Sequence, residues 1–169
     1  MRRPIIAVLA TGAVLTLGSV ALAADSTYLA HLKGSAERPV PRETRAVGNA
    51  IFHLSDDGTE LSYRLIVSNI DNVVQAHIHV GGPDIAGPVV AFLYGVVPPG
   101  GGPERGVLST GTITAANLIG PLAGHPLSDL VLAIEGDMAY VNVHTNDGVA
   151  PPNTGPGDFP GGEIRGQMG

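Results

Sequence analysis

The sequence predicts an all-β fold, a β-sandwich or barrel with one short helix. Alternating apolar and polar residues recur in short runs, the pattern of half-buried strands. Turn-forming residues separate these runs about every ten residues, as they do in sandwiches and barrels. The 169 residues include 24 glycines and 14 prolines, and only 4% are aromatic. This composition favours short strands joined by tight turns.

Each element follows from its local pattern. Residues 126–135 form the predicted helix, because Leu127, Leu130, Val131 and Ile134 follow helical spacing and Gly136 stands at the C-cap position. Residues 98–106 are expected to be a flexible surface loop, and residues 146–162 a long loop of the kind that often serves a site. The predicted strands are residues 27–34, 47–55, 60–69, 75–80, 89–97, 107–113, 140–145 and 163–168.

The N-terminal residues have the pattern of a signal peptide and predict that the protein is exported. Arg2 and Arg3 precede an apolar run over residues 5–20, and the small residues of Ala21-Leu22-Ala23 then suit a cleavage site. Residues 1–23 are therefore the predicted signal peptide, and residues 24–169 a single secreted or periplasmic domain with no membrane segment after cleavage. The chain contains no cysteine, so disulfides and thiol chemistry are excluded.

The charge balance narrows the range of partners. The formal net charge is −6, and it becomes more negative once Arg2 and Arg3 leave with the signal peptide. A negative surface argues against nucleic acid and anionic membranes as partners. The sequence also lacks a Gly-x-Ser-x-Gly elbow, a phosphate-binding glycine loop and a His-Glu-x-x-His zinc motif.

Three histidines stand out as candidate metal ligands. Strand alternation places His77 and His79 together on one face of the strand over residues 75–80, and His144 on a second strand of the same type. Imidazole suits copper and zinc, and copper(II) has the higher intrinsic affinity. If the three bind one ion on an outer, solvent-facing wall, their nitrogens should lie within about 4 Å of one another, twice a metal–nitrogen bond. The alternative is that they only fill a polar sheet face.

The polar residues near these histidines each have two interpretations. Tyr140 and Asn142 share the predicted face of His144 and could orient metal-bound imidazoles, or simply pack across strands. Glu163 and Arg165 share a face of the last strand and could form a charge pair.

Other candidates have simpler interpretations. His31 or His53 could complete a fourth metal position, although a surface or half-buried histidine on an ordinary strand explains each better. His125 precedes Pro126 and is expected in a loop. Asp84 could orient a histidine or bind calcium, but a turn former accounts for it.

Three motifs carry a family resemblance. The segments QAHIHVGG from Gln75, YVNVHT from Tyr140 and GEIRGQ from Gly162 together resemble the CHRD domain, over nearly the whole mature chain. The resemblance implies a β-rich extracytoplasmic domain with no settled activity. It also suggests a non-catalytic role, in which the domain binds another extracellular protein or a matrix without any metal.

A second resemblance concerns chemistry. The His77-x-His79 strand and the later His144 strand are similar to the copper-binding strands of Cu,Zn superoxide dismutases, which are Greek-key β-barrels. This implies a Greek-key fold, copper at His77, His79 and His144, and an anion-steering role for Arg165. The zinc site and the disulfide of those enzymes have no counterpart in this sequence. Two functions therefore stay open: a secreted copper- or zinc-binding protein with redox or superoxide-handling activity, and a metal-free binding module.

Overall fold

The computed structural model describes residues 26–169, so the predicted signal peptide lies outside the described residues. Eight strands and one α-helix follow one another along this part of the chain. They are β1 (Ser26–Lys33), β2 (Val47–Leu54), β3 (Leu61–Asp71), β4 (Val73–Val80), β5 (Val89–Gly95), β6 (Pro103–Ile113), α1 (Leu127–Glu135), β7 (Ala139–Thr145) and β8 (Ile164–Gln167).

The strands form one antiparallel sheet in the order β5-β4-β7-β8-β1-β2-β3-β6. Its two ends approach each other, since the Tyr63 hydroxyl on β3 donates a hydrogen bond of 2.8 Å to the Leu93 carbonyl on β5. The sheet is therefore a nearly closed barrel. Because β4 follows β3 in sequence but pairs with β7, the chain crosses the barrel end as in Greek-key folds. The predicted all-β fold with one helix is confirmed.

The barrel interior is an apolar core. Alternate residues of each strand point inward, for example Phe52 on β2, Leu65 on β3 and Ile78 on β4, all of them inaccessible to solvent. Burying a side chain of this size stabilises the fold by about 1.5–3 kcal/mol. Helix α1 adds Leu130 and Ile134 to the same cluster, which explains its helical apolar spacing.

One local prediction is wrong. Residues 103–106 belong to strand β6 rather than to a flexible loop, because β3 continues to Asp71 and pairs with them, placing Asp71 opposite Pro103. Gly136 is the C-cap of α1, as predicted, with a φ of −87°, and Asp137 after it takes the positive φ of 56°. Asp tolerates this conformation better than most residues.

Two loops form an outer layer over part of the barrel. Residues 81–88 connect β4 to β5, and residues 146–163 connect β7 to β8. Together they cover the outer face of β4 and β7, so all seven residues of β7 are buried. This outer layer determines the surroundings of the candidate site.

Candidate metal centre

Strand pairing brings the three predicted histidines together. β4 and β7 are antiparallel neighbours, with His77 opposite Asn142 and His79 opposite Tyr140. Alternation turns Ala76 and Ile78 into the core and leaves the histidines on the other face. His144 lies two residues beyond Asn142 and is therefore a diagonal neighbour of His77, within reach of its ring.

The three rings converge on one point. One ligand nitrogen from each of His77, His79 and His144 lies within 4.8 Å of the other two, and no second group of this kind occurs among residues 26–169. The His77 Nδ1 and His144 Nε2 atoms are 3.1 Å apart. This 4.8 Å limit is close to the predicted 4 Å, a separation from which small ring rotations would bring all three nitrogens onto one ion.

Backbone carbonyls of the outer layer orient two of the rings. His79 Nδ1 donates to the Gly87 carbonyl at 2.8 Å, and His144 Nδ1 donates to the Pro160 carbonyl at 2.8 Å. A neutral imidazole that donates through Nδ1 carries its lone pair on Nε2. Both Nε2 atoms are therefore available as ligands. The His79 Nε2 atom is buried and has no hydrogen-bond partner.

The site is buried, which corrects the expectation of a solvent-facing wall. His77 is 3% exposed, and His79 and His144 are each 7% exposed. Burial lowers the pKa of His77 to about 3, with the two other histidines acting in the same direction. Burial likewise lowers the pKa of His144 to about 4 and lowers the pKa of His79. All three rings are therefore neutral at pH 7, the state in which imidazole binds metals.

A comparison with known protein families identifies the family of the chain. The family described as CHRD domain matches residues 28–168. The chain belongs to the CHRD domain family. No curated protein matches the sequence.

The CHRD assignment agrees with the prediction that the protein functions outside the cytoplasm. CHRD domains are extracellular-type modules. No helix in the described part of this CHRD domain combines the length and the hydrophobicity needed to cross a membrane. The predicted signal peptide and single domain over residues 24–169 stay predictions.

Arg165 of the CHRD domain lies behind the histidines rather than in solvent. Its guanidinium carbon is 3.4 Å from the centre of the Tyr140 ring, and Tyr140 stacks in parallel on His79 at 4.7 Å. The guanidinium also donates to the carbonyls of Ile85 and Gly82, both at 2.9 Å. Arg165 is 2% exposed, a position that favours holding residues 81–88 in place. Anion steering stays a prediction that this burial does not support.

The charge pair predicted between Glu163 and Arg165 is not formed. Glu163 instead accepts hydrogen bonds from the hydroxyls of Thr44 and Thr145 and from the Gly157 amide, at 2.6–2.9 Å. It is completely buried. Because Thr145 lies on β7 and Gly157 in the covering loop, this carboxylate fixes residues 146–163 against the barrel.

Sequence reasoning missed Glu37, a buried carboxyl group behind the site. It lies in the segment after β1, is 2% exposed, and its Oε1 atom has no hydrogen-bond partner. Burial raises the pKa of Glu37 to about 7, while nearby Arg165 and Arg42 oppose that shift. No sequence pattern signals this position, because a Glu in a charged segment that leads into two prolines resembles any exposed loop residue.

The remaining candidates lie away from the three histidines. His31 and His53 are exposed and contact Asn49 and Thr27, respectively. They do not join the site, as the simpler interpretation predicted. His125 pairs with Asp129 at 2.7 Å on the surface, and Asp84 forms an exposed ion pair of 3.1 Å with Arg38.

Proposed function

We propose that this CHRD domain binds a single copper or zinc ion through His77, His79 and His144. The observation that carries the proposal is the convergence of three neutral imidazole nitrogens in a buried space, with two rings oriented by backbone carbonyls. Such carbonyl partners fix the tautomer and raise the basicity of metal-bound histidine. A protein that only needed a polar sheet face would have no reason to bury three imidazoles with their nitrogens facing one another.

The donor set suits the proposed ions. Three imidazoles form a common zinc site, and copper(II) binds the same donors more tightly. The buried, unpartnered Nε2 of His79 is a polar atom that an ion would satisfy. In the metal-free protein, the proton between His77 and His144 forms their 3.1 Å hydrogen bond, and binding would displace it.

We also propose that the copper-loaded protein has redox or superoxide-handling activity. Its support is the similarity of the two histidine strands to those of Cu,Zn superoxide dismutases. Copper would supply one-electron chemistry, and turnover would also need a coordination position that substrate can reach. The low exposure of all three rings favours holding an ion over rapid turnover.

The primary test is metal binding by the purified, metal-stripped protein. Titration with copper(II) or zinc, followed by dialysis and elemental analysis, should leave one equivalent bound. His79→Ala should lose it, whereas His53→Ala, which removes an exposed histidine, should retain it. Superoxide consumption by the copper-loaded protein is measured in parallel.

Each result has a distinct meaning. Retention of the ion by the triple alanine variant of His77, His79 and His144 would refute the site. Binding without superoxide consumption would leave storage or a structural role. No binding by the wild-type protein would favour the alternative, a non-catalytic module that binds an extracellular partner.

A further inference from the structure

We infer that the side-chain carbonyl of Asn142 supplies an oxygen ligand to the ion held by the three histidines. The site would then offer three nitrogens and one oxygen, a set that suits a divalent ion. This inference rests on the proposed function and goes beyond it, because it assigns the fourth ligand and the class of ion.

Strand register puts Asn142 at the centre of the site. On β7 it lies directly opposite His77, and residues in such pairs have Cβ atoms about 4.5–5.5 Å apart. Alternation also places it on the same outer face as Tyr140 and His144. Asn142 is 4% exposed and its side chain is within hydrogen-bonding range of His79, so it lies among the histidines rather than in solvent.

Two buried acceptor atoms of the site, one on Asn142 and one on His79, have no donor. Asn142 Oδ1 and His79 Nε2 are both buried and both lack a hydrogen-bond partner. The carboxamide is within hydrogen-bonding range of His79 and would accept from a protonated ring, which raises the His79 pKa, although burial lowers it by more. Since the proton of the neutral His79 ring is on Nδ1, where Gly87 accepts it, Nε2 has none to donate to the amide oxygen. A cation is the partner that satisfies both atoms.

The Asn142 amide nitrogen and a carboxyl oxygen of Glu37 both lie beside Gly162. Gly162 has a φ of 121°, and a Cβ placed on it would lie 2.7 Å from Glu37 Oε1 and 2.9 Å from Asn142 Nδ2. The amide nitrogen is thus on the side of the carboxyl group, where an N–H donor is favoured. The opposite orientation would place the amide oxygen beside the Glu37 oxygen. The absence of a side chain at residue 162 leaves room for this arrangement.

The oxygen ligand predicts which ions the site prefers. Amide and carboxylate oxygens are hard donors, whereas copper(I) is selected by soft sulfur donors. A site with three imidazoles and one amide oxygen should therefore favour zinc and copper(II) over copper(I).

The test compares four metal-stripped proteins: wild type, Asn142→Leu, Asn142→Asp and Asn49→Leu. Leucine has the branched side-chain skeleton of asparagine without its oxygen, aspartate keeps an oxygen, and Asn49 is an exposed residue that serves as control. Copper(II) and zinc affinities are measured by competition with a chelator, and the copper(II) site by electron paramagnetic resonance. Circular dichroism and thermal melting check the folding of each variant.

Asn142→Leu should weaken copper(II) and zinc binding by about 10- to 100-fold, the range seen when the surroundings of a metal site are altered, and should change the copper(II) spectrum. Asn142→Asp should bind at least as tightly as wild type, with a different spectrum, and Asn49→Leu should match wild type. An unchanged spectrum for Asn142→Leu would overturn the inference even if affinity fell, because only packing would then have changed. If Asn142→Leu does not fold, an unchanged spectrum for Asn142→Asp overturns it.

The outcome is separable from that of the proposed function. Wild-type protein that binds no metal refutes the three-histidine site itself. Wild-type binding with no response to either Asn142 substitution refutes only the oxygen ligand.

Discussion

The buried ionisable groups predict how the stability of the metal-free protein depends on pH. The pKa values of His77 and His144 are lowered from 6.5 to about 3 and about 4. As the pH falls below 6.5, these histidines take up protons in the unfolded state but not in the folded state, so acid destabilises the protein. One pKa unit corresponds to about 1.36 kcal/mol, so each histidine destabilises by about 2 kcal/mol between pH 7 and pH 5. His79 acts in the same direction.

Glu37 has the opposite effect over the same range. Its pKa is raised from 4.5 to about 7, so its stabilising contribution is present at acidic pH and is lost as the pH rises through 7. Between pH 7 and pH 5 it stabilises the fold by about 2–3 kcal/mol. The free energy of unfolding of the wild-type protein should therefore fall by about 1–2 kcal/mol between pH 7 and pH 5 through His77, His144 and Glu37. That of Glu37→Gln should fall by about 4 kcal/mol, because only the two histidines then contribute.

Urea unfolding of metal-stripped protein at pH 7, 6 and 5, followed by circular dichroism, measures this difference. Titration of exposed carboxylates is common to both proteins and cancels between them. Adding His77→Phe to the Glu37→Gln variant should reduce its loss of stability between pH 7 and pH 5 by about 2 kcal/mol, because the contribution of His77 is removed. If Glu37→Gln and wild type show parallel stability profiles, the reasoning about Glu37 is wrong. If Glu37→Gln is equally stable at pH 7 and pH 5, the burial argument for the histidines fails.

Three further predictions concern the outer layer and the surface. Gly87→Ala should destabilise the protein by about 2 kcal/mol or more and weaken metal binding, because its Cβ would lie 1.7 Å from the Val80 carbonyl oxygen; unchanged urea unfolding would contradict this. Arg165→Lys should cost about 1–3 kcal/mol, since lysine cannot reproduce the forked donors that bind two carbonyls. Thermal unfolding equal to wild type would count against that role. Asp84→Asn should change stability by less than about 1 kcal/mol, because its ion pair is exposed, and a larger loss would show an unsuspected role.

The sequence was sufficient to predict that the three histidines lie together, because the alternation of each strand is a local signal. The alternation in β4 and β7 determines which side chains share a face. The antiparallel pairing of the two strands then places His144 diagonally beside His77. Helix α1 was predictable for the same reason, since Leu127, Leu130 and Ile134 follow helical spacing and are buried.

The surroundings of the site were not predictable, because they depend on contacts between distant segments. The burial of His79 and His144 follows from loops whose carbonyls reach them, and one of those loops is held by Arg165. Glu37 reaches the site through the same long-range packing. The glycines and prolines of residues 98–106 predict a loop, but residues 103–106 pair with the long strand β3, and this pairing overrides the local preference.

The two covering loops would also govern how fast an ion moves in and out. Gly87 and Pro160, whose carbonyls hold two of the rings, belong to segments that must part before a hydrated ion can reach the imidazoles. Uptake and release would then occur at the frequency of that opening, typically a microsecond-to-second event. A chelator should consequently remove the ion at a rate independent of chelator concentration, so residence time and affinity become separate properties of the protein.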